Sequence, residues 1–210
     1  MNSESENYKK LWDTRYGSPE FAYGKLPNQF FKERLDPLPS GNILLPAEGE
    51  GRNAVYAASK GWKVTAFDLS DKGKEKAEKL ADEYNLSFHY LIGDLEQFDF
   101  EKESFDIIGF IYAHFLSEKK AALHRKLNTY LKRGGIIIFE AFGKKNLPLV
   151  KANPKVGGAM PESMLFSTEE LKEDFSNYEI LLLEEKEIVL SEGLYHNGTG
   201  SVIRFVGRKL

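Results

Sequence analysis

The chain holds 210 residues, 41% hydrophobic and 29% charged, with 29 basic against 32 acidic side chains. That length favours a single domain whose core needs no covalent staple. With no cysteine, disulfides, thiolate metal sites and cysteine nucleophiles are excluded. A formal charge of −3 gives no electrostatic footprint for duplex nucleic acid or an anionic membrane.

The first 17 residues are polar, with no apolar stretch of signal-peptide character. The longest apolar region, 105–116, is interrupted by Asp106 and His114 and is too short to cross a bilayer. A cytoplasmic, soluble protein is expected.

In chain order, 42–45 reads as a short buried strand and 51–60 as an Ala-rich helix. A strand at 63–67 follows, then a helix over 71–84 with Ala77, Leu80, Ala81 and Tyr84 on one face. Residues 87–91 and 105–111 are the third and fourth strands. The helix over 118–131 aligns Leu123, Leu127 and Leu131, Gly134–Gly135 is expected to end it, and 136–139 is the fifth strand. A short helix starts at Thr168 with Ser167 or Thr168 as its cap, and 178–190 and 201–207 form a terminal strand pair. Two segments, 36–42 and 143–161, are rich in loop formers. The alternation predicts an α/β fold: a Rossmann-like, seven-stranded, mostly parallel sheet with helices on both faces and an antiparallel C-terminal pair.

The first strand runs into Pro46-Ala47-Glu48-Gly49-Glu50-Gly51-Arg52-Asn53. Glycines at 49 and 51 permit a tight turn and close approach of a ligand, and the helix after them aims its N-terminal amides at that space. Asp68 ends the second strand 19 positions after Gly49, where a carboxylate can accept hydrogen bonds from a ribose diol. Each feature alone is also satisfied by an ordinary turn and a helix cap; together they point to a ribose-bearing cofactor. Gly49-x-Gly51-x-x-Ala54 matches a dinucleotide fingerprint, so NAD(P) stands as one cofactor. Ala47-x-Gly49-x-Gly51, a variant of the GxGxG loop, stands for S-adenosylmethionine.

The segment ILLPAEGEGRNAVYAASKGWKVTAFDLS resembles motif I and the following acid of class I S-adenosylmethionine-dependent methyltransferases. GEGRNA, preceded by WDTRYGSPEFAYGKLPNQF, resembles the tellurite-resistance (TehB-like) and thiopurine-methyltransferase-like branch. SFDIIGFIYAHFL, LKRGGIIIFEAF and MLFSTEELKEDF extend the likeness over most of the chain. The resemblance implies S-adenosylmethionine as cofactor and a small-molecule methyl acceptor, for instance a thiol or a chalcogen oxyanion such as tellurite, with no nucleic-acid or membrane partner. A small NAD(P)-binding oxidoreductase and a non-catalytic cofactor-binding module are the alternatives.

By the same resemblance, Ala47, Glu48, Gly49, Gly51, Asp68, Leu69, Asp94, Leu95 and Ile111 would contact the cofactor, with Asp94 and Leu95 at the adenine. The family's acid at the end of the first strand is Leu45 here, and Glu48 or Glu50 is expected to replace it. Tyr112 and His114 follow the fourth strand, where the acceptor would sit, and are candidates to line its pocket or relay a proton. Residues 1–35, which hold Trp12, Arg15, Tyr16 and Tyr23, are read as a lid on a single domain formed by 36–210, with Trp12 and Arg15 nearest the ligand.

The four histidines show no i, i+4 pair, and no metal is expected. His124, beside Arg125 and Lys126, is expected at the surface. So is the basic cluster of Lys119, Lys120, Arg125, Lys126, Lys132 and Arg133. The turn 193–198 either reaches the site's mouth or is an exposed hairpin.

Overall fold

The computed structural model describes residues 3–158 and 161–210. Helices α1 (Ser3–Tyr16) and α2 (Gln29–Leu35) precede the alternating unit. That unit runs β1 (Asn42–Pro46), α3 (Arg52–Ser59), β2 (Lys63–Asp68), α4 (Asp71–Glu83), β3 (His89–Ile92), β4 (Phe105–Ile111), α5 (Ser117–Tyr130) and β5 (Leu131–Phe142). Helices α6 (Asn146–Ala152) and α7 (Thr168–Asp174) lead to β6 (Tyr178–Glu192) and β7 (His196–Lys209).

The seven strands lie in the order β3-β2-β1-β4-β5-β7-β6. Strands β1 to β5 pair in parallel, and β7 runs antiparallel to both β5 and β6. This is the Rossmann-like sheet with an antiparallel C-terminal pair that the sequence predicts.

Successive strand residues alternate between two cores. Leu44 and Phe110 pack with Leu123 and Leu127 of α5 and Leu171 of α7. Ile43 and Leu45 pack on the other face with Phe30 and Phe31 of α2, Ala54 and Ala57 of α3, and Ala77 of α4. Helix α4 starts at Ser70, whose hydroxyl accepts the Gly73 amide, with Asp71 favouring the positive helix end. Strand order reverses between β1 and β4, so the crevice beyond the C-terminal strand ends opens there.

Three expectations are corrected. Helix α5 ends at Tyr130 and β5 starts at Leu131, so Gly134 and Gly135 lie inside the strand. No glycine cap is needed there, because the Lys209 ammonium donates to the carbonyls of Asn128 and Leu131. The 143–161 segment is partly helical, containing α6 and a 3-10 turn at Pro154–Val156; residues 159 and 160 lie outside the described ones. His124 is fully buried among Phe110, Phe139, Phe166 and Phe175, with Nδ1 2.6 Å from the Asp174 carboxylate.

The basic cluster is a solvated face only in part: Arg125 and Arg133 are exposed. Lys120 is buried and donates to the carbonyls of Ser163 and Leu165 while pairing with Glu170. Lys126 donates to the Leu95 carbonyl. Among the described residues, no helix is long and apolar enough to cross a membrane.

Candidate active site

A cavity of about 400 Å³ lies beyond the C-terminal ends of β1 to β4. Its floor is formed by Ala47 after β1, Asp68 and Leu69 at the end of β2, Gly93 to Leu95 after β3, and Ile111, Tyr112 and His114 at the end of β4. The strands therefore bring together most of the residues singled out from the sequence.

Asp68 is buried, and its two carboxylate oxygens are held separately. Oδ1 accepts the Ser70 amide at 2.9 Å and Oδ2 the Gly49 amide at 3.0 Å. Burial raises this carboxyl to about 6, against the lowering effect of those amides. Each oxygen keeps lone pairs for a further donor.

The space that a Cβ would take at Gly49 and Gly51 is filled by protein atoms. A Cβ at Gly49 would lie 2.6 Å from the Tyr16 hydroxyl oxygen, and one at Gly51 would lie 2.5 Å from Cβ of Ala77. Both glycines have positive φ, and Ala47 shares that left-handed region at φ 52°.

Two of the amides at the start of α3 are also taken. Glu48 Oε1 accepts the Asn53 and Ala54 amides at 2.9 and 2.7 Å, so this carboxyl caps the helix at the cavity wall. Burial raises it to about 7, against the effect of those amides. Glu50 accepts the amides of Ala22 and Tyr23 and the Lys76 ammonium, which fastens the 21–24 segment to the glycine turn. Leu45, where an acid would be expected, points into the core with Phe31.

Asp94 caps a 3-10 turn at Leu95–Gln97, and its Oδ2 lies 3.5 Å from Nζ of Lys119. Leu95 beside it is buried.

Helix α1 covers the cavity with residues spaced one turn apart. Tyr8, Trp12 and Tyr16 form a ladder, with Tyr8–Trp12 edge-on at 6.0 Å and Trp12–Tyr16 stacked at 5.4 Å. The Arg15 guanidinium lies over the rings of Trp12 and Tyr195 and donates to the Tyr23 hydroxyl. Asp13 anchors the helix to the start of α4 by accepting from Ser70 Oγ at 2.6 Å.

On the opposite side, Tyr112 takes φ 53°, a conformation that a bulky side chain adopts only under constraint. Its amide donates to the Glu140 carbonyl at 2.7 Å and its hydroxyl to Glu140 Oε1 at 3.2 Å. Glu140 is buried and also binds Asn28 and Arg204. Burial and Glu140 hold the Tyr112 hydroxyl well above the usual phenol range.

His114 donates from Nδ1 to the Met164 carbonyl, and its backbone carbonyl accepts from Tyr8. Burial lowers its imidazole to about 4, so the ring is neutral near pH 7.

Tyr16 and Tyr23 of the N-terminal lid and His196 of the 193–198 turn line the cavity, together with Tyr8 and Phe142, which sequence reasoning did not single out. The i, i+4 aromatic spacing at 8, 12 and 16 was the available signal for Tyr8. The turn 193–198 reaches the mouth because Leu194 donates to the Ala22 carbonyl, and Gly193 abuts Gly24 closely enough that a Cβ would clash. Among the described residues no cluster of side chains suited to hold a metal ion is present.

Residues 43–135 match the family described as "Methyltransferase domain". A stretch of 108 residues is 29% identical to the uncharacterized methyltransferase YbaJ of Bacillus subtilis, covering 51% of this chain and 42% of that protein. The match thus spans less than half of that relative's length. TehB from Haemophilus influenzae superposes with a TM-score of 0.71 at 16% identity, over 96% of this chain and 67% of that one. A SAM-dependent methyltransferase from Anabaena variabilis gives 0.71 at 17% identity, over 100% and 96%. The fold is that of the class I methyltransferases.

Proposed function

We propose that this chain, which carries a methyltransferase domain within a class I methyltransferase fold, transfers a methyl group from S-adenosylmethionine to a small-molecule acceptor such as a thiol or a chalcogen oxyanion. The observation that carries this reading is the buried Asp68 carboxylate on the cavity floor, with lone pairs left beyond its two amide bonds. Such a group suits a pair of ribose hydroxyls, because a buried hydroxyl needs an acceptor.

The other side chains fit the same ligand. Asp94 offers a carboxylate for an exocyclic amino group, with Leu95, Leu69 and Ile111 as apolar surface for a flat ring. Trp12 and Arg15 close the cavity from α1, and Arg15 is a cation with no carboxylate partner among the described residues. S-adenosylmethionine, when bound, supplies a methyl group activated on a sulfonium.

The chain's own task is to orient the acceptor and exclude water. Tyr112, fixed through Glu140, and the neutral His114 line the wall where an acceptor would lie.

Calorimetric titration with S-adenosylhomocysteine and with NAD tests this reading. Binding of the first and not the second is expected, weakened more than tenfold by Asp68→Ala. Binding of NAD alone would overturn it.

A further inference from the structure

We infer that His196, oriented by Glu192, is the base that takes the proton from a neutral methyl acceptor, which makes the acceptor a thiol or hydroxyl compound rather than an oxyanion. The inference rests on the methyl-transfer reading above and adds the acceptor's chemical class and a catalytic residue.

The geometry is that of a base with its orienting partner. His196 Nδ1 lies 2.9 Å from Glu192 Oε2, and Arg52 Nη2 holds the same oxygen at 2.9 Å. Asn28 donates to the other carboxylate oxygen at 3.3 Å. Burial alone would raise the Glu192 carboxyl, but the His196 ring and Arg52 outweigh it and hold the group down to about 2. An ionised acceptor on Nδ1 fixes the ring proton there and leaves Nε2 with its lone pair.

Nε2 of His196 is not sealed off as Nε2 of His114 and of His124 are. His196 is a wall residue, seated between the rings of Tyr23 and Tyr112 at 4.5 and 4.4 Å. Nε2 has no hydrogen bond to any described residue. Gly157 faces it, and a Cβ at that position would come within 3.1 Å of Nε2.

The two cavity histidines differ in their ability to hold a proton. His114 has a backbone carbonyl on Nδ1 and no carboxylate, so an imidazolium there is unsupported. His196 has Glu192 to stabilise the imidazolium that forms. The ionisable groups facing His196 are Glu192 of its own hairpin, with Tyr195 next to it in the chain, Arg52 of α3, Tyr23, Arg15 of α1, and Tyr112 and His114 after β4. Burial, with Arg52 and Arg15, outweighs Glu192 and lowers the imidazole from its usual value, so it is uncharged and ready at neutral pH.

The step balances without a further reagent. The acceptor's X–H bond breaks toward Nε2, and the electron pair left on X forms the bond to the methyl carbon. The carbon–sulfur pair stays on the departing sulfur and cancels its positive charge. His196 then releases its proton to solvent.

The test compares the wild type with His196→Gln on two thiols at neutral pH: benzyl mercaptan, mostly protonated, and 4-nitrothiophenol, mostly ionised. The readout is S-adenosylhomocysteine formed. The variant should lose about 10²–10⁴-fold on the protonated thiol, the usual worth of a general base. Its loss on the ionised thiol should be at least about thirtyfold smaller, since no proton has to be removed there. S-adenosylhomocysteine affinity within threefold of wild type shows that the variant is folded. In the wild type, the protonated thiol alone should show a rate falling toward acid pH as His196 takes a proton. Equal losses on both thiols, no loss on the protonated one, or cofactor-product binding with no turnover of either thiol would each overturn the role of His196. Failure of the wild type to bind S-adenosylhomocysteine would remove the methyl-transfer reading and this proposal with it.

Discussion

Tyr16 packs its hydroxyl end directly over the α-carbon of Gly49, so that a Cβ built there lies 2.6 Å from its oxygen and 3.0 Å from the adjoining ring carbon. The glycine of the strand–helix turn thus accommodates the N-terminal helix, and α1 reaches the cavity by passing over it. Gly49→Ala is expected to cost about 1–2 kcal/mol from its left-handed backbone alone, with a further loss from displacing Tyr16. Urea unfolding of Gly49→Ala, Tyr16→Ala and the double variant checks this. The glycine substitution should cost less once Tyr16 is truncated, whereas strict additivity would mean that the contact carries no energy.

Asp68 makes ligand affinity depend on pH. A carboxyl raised to about 6 by burial is protonated in mildly acidic solution and loses acceptor capacity. Affinity for S-adenosylhomocysteine should be flat above pH 7 and weaken by up to about tenfold per unit below 6, one pKa unit being about 1.4 kcal/mol. The same shift has a stability sign. A raised carboxyl stabilises the fold below its unfolded value near 3.8 and loses that contribution as pH rises through about 6. Asp68→Ala should flatten both dependences, read by calorimetry and by thermal melts from pH 4 to 8.

Asp13 is the anchor of α1 on the body of the molecule. It accepts from Ser70 Oγ and lies 3.0 Å from the Lys9 ammonium. Burial opposes ionisation, but the bonds from Ser70 and Lys9 outweigh it and lower the carboxyl below its usual value. This anchoring is therefore present above about pH 4 and is lost as pH falls further. Asp13→Ala should speed hydrogen exchange within α1 while leaving the amides of β1 and β4 protected. Unchanged exchange in α1 would show that the aromatic ladder alone holds the helix.

Glu140 joins three parts of the chain through Asn28, Tyr112 and Arg204. Glu140→Ala leaves the Arg204 guanidinium without its buried partner, and a loss of about 3–5 kcal/mol is expected from chemical denaturation. Glu140→Gln should be milder, because it keeps one acceptor for Asn28 or Tyr112. A loss below 1 kcal/mol for the alanine variant would mean that solvent replaces the carboxylate.

The sheet was legible because Ile43 to Leu45 and the 105–111 run are too apolar for anything but a buried strand, and because Asp68 follows the glycine turn at the expected distance. The start of β5 was not, since Lys209, far along the chain, satisfies the end of α5 in place of a glycine. Local pattern likewise puts His124 on a basic surface, whereas Asp174 and four phenylalanines from other elements enclose it. Asp68 and Tyr112 could be found because each sits at a strand end. His196 could not be ranked, because its meaning depends on Glu192 across a hairpin and on Arg52 from α3.

Strand β7 follows β6 in the chain yet lies between β5 and β6 in the sheet. During synthesis, β5 therefore has no outer neighbour until the whole hairpin has left the ribosome. Its exposed edge is open to wrong partners during that interval. The wall containing Tyr195 and His196 arrives with the same insertion, so a nascent chain paused before β7 would have the Asp68 end of the cavity and no far side.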